Sequence, residues 1–280
     1  MLTLKRLLFL SLALALSFTL VGCNGGLPQG EIDQIIANAI AAQFDTVRVD
    51  MDMTMTVEVV GGPDEGVVSL VLDFSGVADL VNGEMQGEAN ITTDIPLTDA
   101  EDMSAEFYLV DGWMYVKSNI FGTDDQWLKY EAGEDILQLQ QDMISGHQEL
   151  LQSAVEINYL RTETVNGIEC YVFEIVPDME ALSELSPEDI ADMGFGDFDL
   201  ADMFEDLSVI EWIAIDSSLP MRVEVYLNVE MSPSDLGATA EDFGSETIVL
   251  AMVVNFYDYN EPVSIELPPE ALGAEEVPSY

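Results

Sequence analysis

The run Val47-Arg48-Val49-Asp50-Met51-Asp52-Met53-Thr54-Met55-Thr56-Val57-Glu58-Val59 decides the architecture, because every odd position is apolar and every even one is charged or a threonine. Successive side chains of a strand point to opposite faces, so the alternation demands a long strand with one dry and one wet face. Wound into a helix, the same residues would be scattered round a cylinder, with charges beside every apolar position. The segment Gly61-Gly62-Pro63-Asp64-Glu65-Gly66 then turns the chain. Val68, Leu70, Leu72 and Phe74 repeat the two-residue period on a second strand.

Outward from this pair, residues 84–95 and 105–110 give a third and a fourth strand, and Asp111-Gly112 makes a tight hairpin into 113–117. A meander of antiparallel strands is thus legible in the first half of the chain. Upstream, residues 31–43 place Ile32, Ile35, Ile36, Ala39 and Ile40 at helical spacing, which predicts a short amphipathic helix opening the domain. Residues 134–155 also take the helical period, with Ile136, Leu139, Met143, His147, Leu150, Leu151 and Ala154 on one stripe. A second hairpin, 158–165 and 168–176, turns at Asn166-Gly167. Residues 177–207 are acidic and broken by Pro187, Gly194 and Gly196, which suggests short helices in a long excursion, a candidate lid. Strand pattern returns at 209–216, 220–231 and 247–257, and prolines mark an irregular end. About eight to ten strands and two or three helices predict an α+β fold that is mainly antiparallel β, a curved sheet with helices packed on one side.

Composition narrows the chemistry. The 280 residues include 54 Asp plus Glu against 7 Lys plus Arg, a formal charge of −47, yet 49% are hydrophobic. Such a chain can bury a core, so disorder is excluded, and its surface repels nucleic acid and anionic headgroups. One His and two Cys cannot build a multi-histidine or cysteine-rich metal centre. There is no Gly-x-Ser-x-Gly turn and no phosphate-cradling glycine loop after a strand. The expectation is a protein without catalytic residues, metal or cofactor. Asp197, Asp199, Asp202, Glu205 and Asp206 crowd one stretch where Ca²⁺ could sit, but the glycine and terminal Glu of an EF-hand loop are missing, which favours a solvated charge run. His147 falls on the apolar stripe and is expected to be a packed or rim residue; Cys170, between Glu169 and Tyr171 in a strand, is expected to be a buried inert thiol.

The N-terminus carries its own signal. Lys5 and Arg6 precede an apolar run over 7–20, shorter than the ~20 residues of a spanning helix, as in an export signal. Leu20-Val21-Gly22-Cys23 resembles the bacterial lipobox, in which the cysteine becomes the acylated first residue. The expected organisation is therefore a signal peptide over 1–22, lipid attachment at Cys23, a Gly- and Pro-containing tether over 23–30, a single domain over 31–273 and an irregular tail over 274–280. Such a protein sits on the extracytoplasmic face of the cell membrane, held by its acyl anchor. Fourteen methionines are a further oddity, with Met51, Met53 and Met55 in succession on the dry face of the first strand. A flexible, polarisable wall of Val49, Met51, Met53, Met55, Leu70, Leu72 and Phe74 could fit acyl chains of varied shape; the plainer alternative is that these side chains fill the core.

The succession of lipobox, short helix, long alternating strand and meander is similar to the LppX/LprG lipoproteins and the wider LolA-like superfamily. Local likenesses are Asp111-Gly112-Trp113-Met114-Tyr115-Val116, the turn Val165-Asn166-Gly167-Ile168-Glu169-Cys170-Tyr171, Ile215-Asp216 to Leu219-Pro220-Met221-Arg222, and Tyr259-Asn260-Glu261-Pro262-Val263. The resemblance implies an unclosed half-barrel sheet whose concave face, covered by helices, encloses an apolar cavity for a lipid or lipidated ligand, with no catalytic residues. The extreme acidity and the excursion over 177–207 depart from that pattern. A related branch of the superfamily senses envelope stress through partner proteins, so an interaction module that binds an envelope protein is the second reading. A hydrolase using scattered carboxylates has the least support, since 54 acids guarantee chance pairs.

Overall fold

Strands joined by short turns satisfy their backbone groups most directly by pairing with their sequence neighbours, and this chain does so nearly throughout. The computed structural model describes residues 26–61, 65–94, 103–119, 126–133, 147–148, 150–178, 207–232 and 244–277. Helix α1 (Gln29–Ala41) is followed by β1 (Thr46–Val60), β2 (Gly66–Asp79), β3 (Glu84–Thr93), β4 (Met103–Val110), β5 (Trp113–Ser118) and β6 (Trp127–Glu131). Then come β7 (Ala154–Val165), β8 (Ile168–Pro177), β9 (Ser208–Ala214), β10 (Pro220–Met231), β11 (Ser245–Tyr257), a 3₁₀ turn (Ala271–Gly273) and β12 (Glu275–Glu276). The strands form one 12-stranded sheet in the order β12-β6-β5-β4-β3-β2-β1-β11-β10-β9-β8-β7. Every pairing is antiparallel except β12 on β6. The sheet is unclosed, ending on β7 at one side and on β12 at the other.

The long strand has the register its alternation requires. Met51 stands between Phe74 and Val254, Met53 between Leu72 and Met252, and Met55 between Leu70 and Leu250. Directly opposed residues share a face, so one face of the central strands is continuously apolar. The two predicted hairpins turn on left-handed pairs, Asp111 (φ 53°) with Gly112 (φ 77°) and Asn166 (φ 51°) with Gly167 (φ 85°), which is why Asp-Gly and Asn-Gly stand there.

Helix α1 buries Ile32, Ile36 and Ala39 against Phe173, Ile175, Val209 and Ile213 of β8 and β9. Its outward face carries i,i+4 hydrogen bonds from Gln29 to Asp33 and from Gln34 to Asn38, each 2.9 Å. Residues 147–148 and 150–153 are helical too, and Leu151 joins the same cluster. The helix expected over 134–155 ends earlier than its stripe, because Ala154 already pairs with Pro177 at the start of β7. Strand β6 was not visible as a pattern: it is five residues long and is defined by its ladder to β5. The tail, expected to be irregular, adds β12, with Lys129 Nζ 3.2 Å from Glu276 Oε2 beside the strand pairing. Cys23, residues 134–146, the excursion over 179–206 and its Asp197–Asp206 stretch lie outside the described residues.

On the opposite face, Trp212 lies between two cations, with the guanidinium carbons of Arg222 and Arg161 at 5.2 and 5.9 Å from its ring centre. Arg161 also bonds Glu163, and Arg222 pairs with Glu224, so each scarce cation is matched by a carboxylate.

Candidate functional site

The apolar face does not lie flat. A cavity of about 750 Å³ is lined from Tyr130 on β6 to Val223 and Val225 on β10, by way of β5, β4, β3, β2, β1 and β11. Eight strands laid flat at about 4.8 Å spacing would spread over roughly 34 Å, so one hollow touching all of them requires a strongly curved sheet. His147 and Leu150 of the helical segment add to its lining. The floor is made by an unusual exchange of side chains. Gly76 and Gly87 oppose each other across β2 and β3, and the rings of Phe74 and Phe107 lie over them, centroids 6.1 Å apart and planes within 12°. A Cβ on Gly87 would come 2.8 Å from Phe107 Cζ and 3.0 Å from Phe74 Cε2; one on Gly76 would come 2.9 Å from Phe74 Cζ. The glycines therefore let two aromatic rings recline on the sheet and leave the space above them open.

Of the residues expected to form the wall, Val49, Met51 and Phe74 line the cavity. Met53, Met55, Leu70 and Leu72 stand on the same face by register, further toward the Val60 end of β1 and the Gly66 end of β2, and outside the lining. The wall is wider than the first two strands: Met85, Phe107 and Met114 come from the meander, and Met252, Val254 and Phe256 from β11. The signal for the last three was present as the period of Leu250, Met252, Val254 and Phe256.

One row of side chains crosses this face through Phe74, Met51, Val254, Val223, Glu211 and Phe173, each opposite the next. A carboxylate thus interrupts an otherwise apolar row. Glu211 is fully buried, and its Oε1 is 2.6 Å from Nδ1 of His147, which is nearly buried at the cavity edge. His147 is accordingly a rim residue with one defined partner. Beside it Tyr259 donates a 2.6 Å hydrogen bond to Pro220 O, and burial, then the Glu211 carboxylate, pushes its phenol far above the ordinary range. Phe44 and Tyr259 meet edge to face, ring centroids 5.0 Å apart.

The wet face is different in kind. There a smaller hollow of about 280 Å³ is lined by Arg48, Gln86, Glu88, Glu106 and other polar groups. Tyr108 donates to Glu106 Oε1 at 2.9 Å, and burial together with that carboxylate pushes its phenol up to about 12. Among the described residues no group of His, Cys, Asp and Glu is arranged to hold a metal ion.

No family model matches the chain, and no curated protein matches it. Solved structures similar to it include LprF from Mycobacterium bovis, 14% identical, covering 86% of this chain and 98% of that one with a TM-score of 0.47. Mycobacterium tuberculosis lipoprotein LppX is 16% identical, with 84% and 99% covered and a TM-score of 0.39. The complex of Pseudomonas aeruginosa MucA/MucB is 12% identical, with 86% and 61% covered and a TM-score of 0.30. At identities this low the chemistry of the hollow has to be argued from its own side chains.

Proposed function

We propose that this protein is an extracytoplasmic lipoprotein, anchored through Cys23, that holds or transfers a lipid or other amphiphile in the hollow of its sheet. The observation that carries the reading is the hollow itself: about 750 Å³, walled mainly by Met, Val and Phe. That volume is in the range of small-molecule sites, and an empty apolar surface of this extent is costly unless something apolar covers it. Each acyl methylene moved into such a site contributes about 0.8 kcal/mol, enough in sum to offset removal of a chain from a membrane. Methionine suits a wall that must fit chains of varied shape. No step of bond chemistry is assigned to it, and the role is binding.

The test is to express the full chain with Cys23→Ala, purify it without detergent and analyse organic extracts by mass spectrometry. Co-purifying amphiphile, lost on Met51→Asp, is the expected result; an empty cavity that takes up no apolar probe overturns the reading. The second reading, a module for an envelope partner, is favoured by one feature: β7 ends the described sheet with Val155 and Leu160 exposed. A partner captured equally by the Met51→Asp protein would support it.

A further inference from the structure

Resting on the proposal that the hollow binds an amphiphile, we infer that the ligand carries a hydroxyl group and that this group is held by the His147–Glu211 pair. Burying a carboxylate is expensive unless hydrogen bonds satisfy it, and a sheet face this apolar would be better filled by a Leu or Ile at 211. Yet Glu211 lies in the same cross-strand row as Met51, Val254 and Val223, three residues of the cavity wall. Its contact with His147 employs Oε1 and Nδ1. These two atoms and the pair's other two, Glu211 Oε2 and His147 Nε2, are all buried, and none of the four makes a hydrogen bond of ordinary geometry among the described residues. His147 lines the hollow and Glu211 stands behind it, and unsatisfied polar groups beside a dry cavity are what a ligand group would complete. A hydroxyl is the group that suits either atom: it donates to a carboxylate oxygen or to an unprotonated ring nitrogen, and accepts from a protonated one. A hydrocarbon satisfies neither atom, and an ester, having no donor, leaves Oε2 bare.

The alternative role for the pair is purely structural, a polar latch holding the helical segment around His147 to β9. Ligand preference separates the two. The full chain with Cys23→Ala is titrated with 1-dodecanol, methyl laurate and dodecane, each displacing the fluorescent probe N-phenyl-1-naphthylamine. The affinity of dodecanol relative to dodecane, a ratio in which any change of the lining common to both ligands cancels, is expected to fall about tenfold in His147→Phe, and likewise in Glu211→Leu; one net hydrogen bond corresponds to that factor. His147→Gln, which keeps a polar group, is expected to retain part of the preference and serves if the Phe variant fails to fold. An unchanged ratio in a folded variant overturns the hydroxyl assignment and leaves the apolar-ligand reading standing. Failure of the wild-type chain to bind any of the three overturns both.

Discussion

Glu211 sits between Ile210 and Trp212, which face the other side of the sheet, so its own face holds only Val209 and Ile213 as strand neighbours. In the sequence it is one acid among 54, and nothing in its spacing to His147, 64 positions earlier in a segment of different period, announces that they meet. What was legible was its oddity, a single carboxylate in the run Val209-Ile210-Glu211-Trp212-Ile213-Ala214. Gly76 and Gly87 were opaque for a similar reason: a glycine in a strand signals close approach of something, but only the register identifies Phe74 and Phe107. Gly87→Val should tip both rings up into the hollow, cutting probe binding at least tenfold and lowering stability by about 1–3 kcal/mol through overpacking. Fluorescence titration and thermal melting check it, and wild-type binding in the variant would show that the rings do not form the floor. Cys170 is fully buried, its thiol donates to Ile168 O at 3.5 Å, and burial raises its pKa. It should therefore resist Ellman's reagent in the native protein and react within minutes in denaturant; rapid native reaction would place the β8 end in solvent.

At the scale of elements, the central strands and both two-residue hairpins were legible because period and turn chemistry act locally, within a few residues of Val47–Val59, Asp111-Gly112 and Asn166-Gly167. Strand β6 and the two-residue β12 were not, since each is held in place by a long-range partner rather than by a pattern of its own. For the same reason β1 and β2 supplied only Val49, Met51 and Phe74 of the cavity wall, and the curvature that brings β4, β5 and β11 to the same hollow has no one-dimensional signature. The turn from β2 to β3 shows how an element end is secured. Asp79 accepts hydrogen bonds from the backbone N–H groups of Asn82 and Val81 at 3.0 and 3.1 Å and from the Asn82 side chain at 2.8 Å. The Asn82 N–H, foremost among these, holds the Asp79 carboxyl below its usual value. A carboxyl lowered on folding contributes stability above its unfolded pKa and loses it as pH falls through the folded one. Asp79→Ala should therefore cost about 0.5–1.5 kcal/mol at neutral pH and less as acid is added below about pH 4. Urea melts at pH 7 and pH 3 check this, and an equal loss at both would mean that the ionised form is not what the turn holds. On β1, Met51→Asp should abolish probe binding while Asp52→Asn on the wet face leaves it unchanged, because the strand period puts them on opposite faces.

The molecule as a whole is a polyanion folded round an oily hollow, and these two properties pull against each other. A formal charge of −47 on 280 residues favours expansion of the chain by self-repulsion, while burial of the apolar face and the cover it receives from α1 hold the sheet together. Few cations are available to relieve the repulsion: Arg48, Lys129, Arg161 and Arg222 each already stand within 4 Å of a carboxylate. Mobile counterions must do the rest. The screening length falls from about 30 Å at 0.01 M salt to about 3 Å at 1 M, so most carboxylate pairs on the surface cease to interact over that range. The melting temperature should accordingly rise by several degrees between 10 mM and 1 M NaCl, with no sharp transition. Calcium separates general screening from a site in the acidic 197–206 stretch. If the stretch is only a solvated run, CaCl₂ and MgCl₂ at equal ionic strength should raise the melting temperature alike; saturable stabilisation by micromolar Ca²⁺ that Mg²⁺ does not reproduce would establish a specific site there. A melting temperature that falls with salt would show that the charges are locally paired rather than mutually repelling, and the anionic surface would then have to be counted among the forces holding the fold.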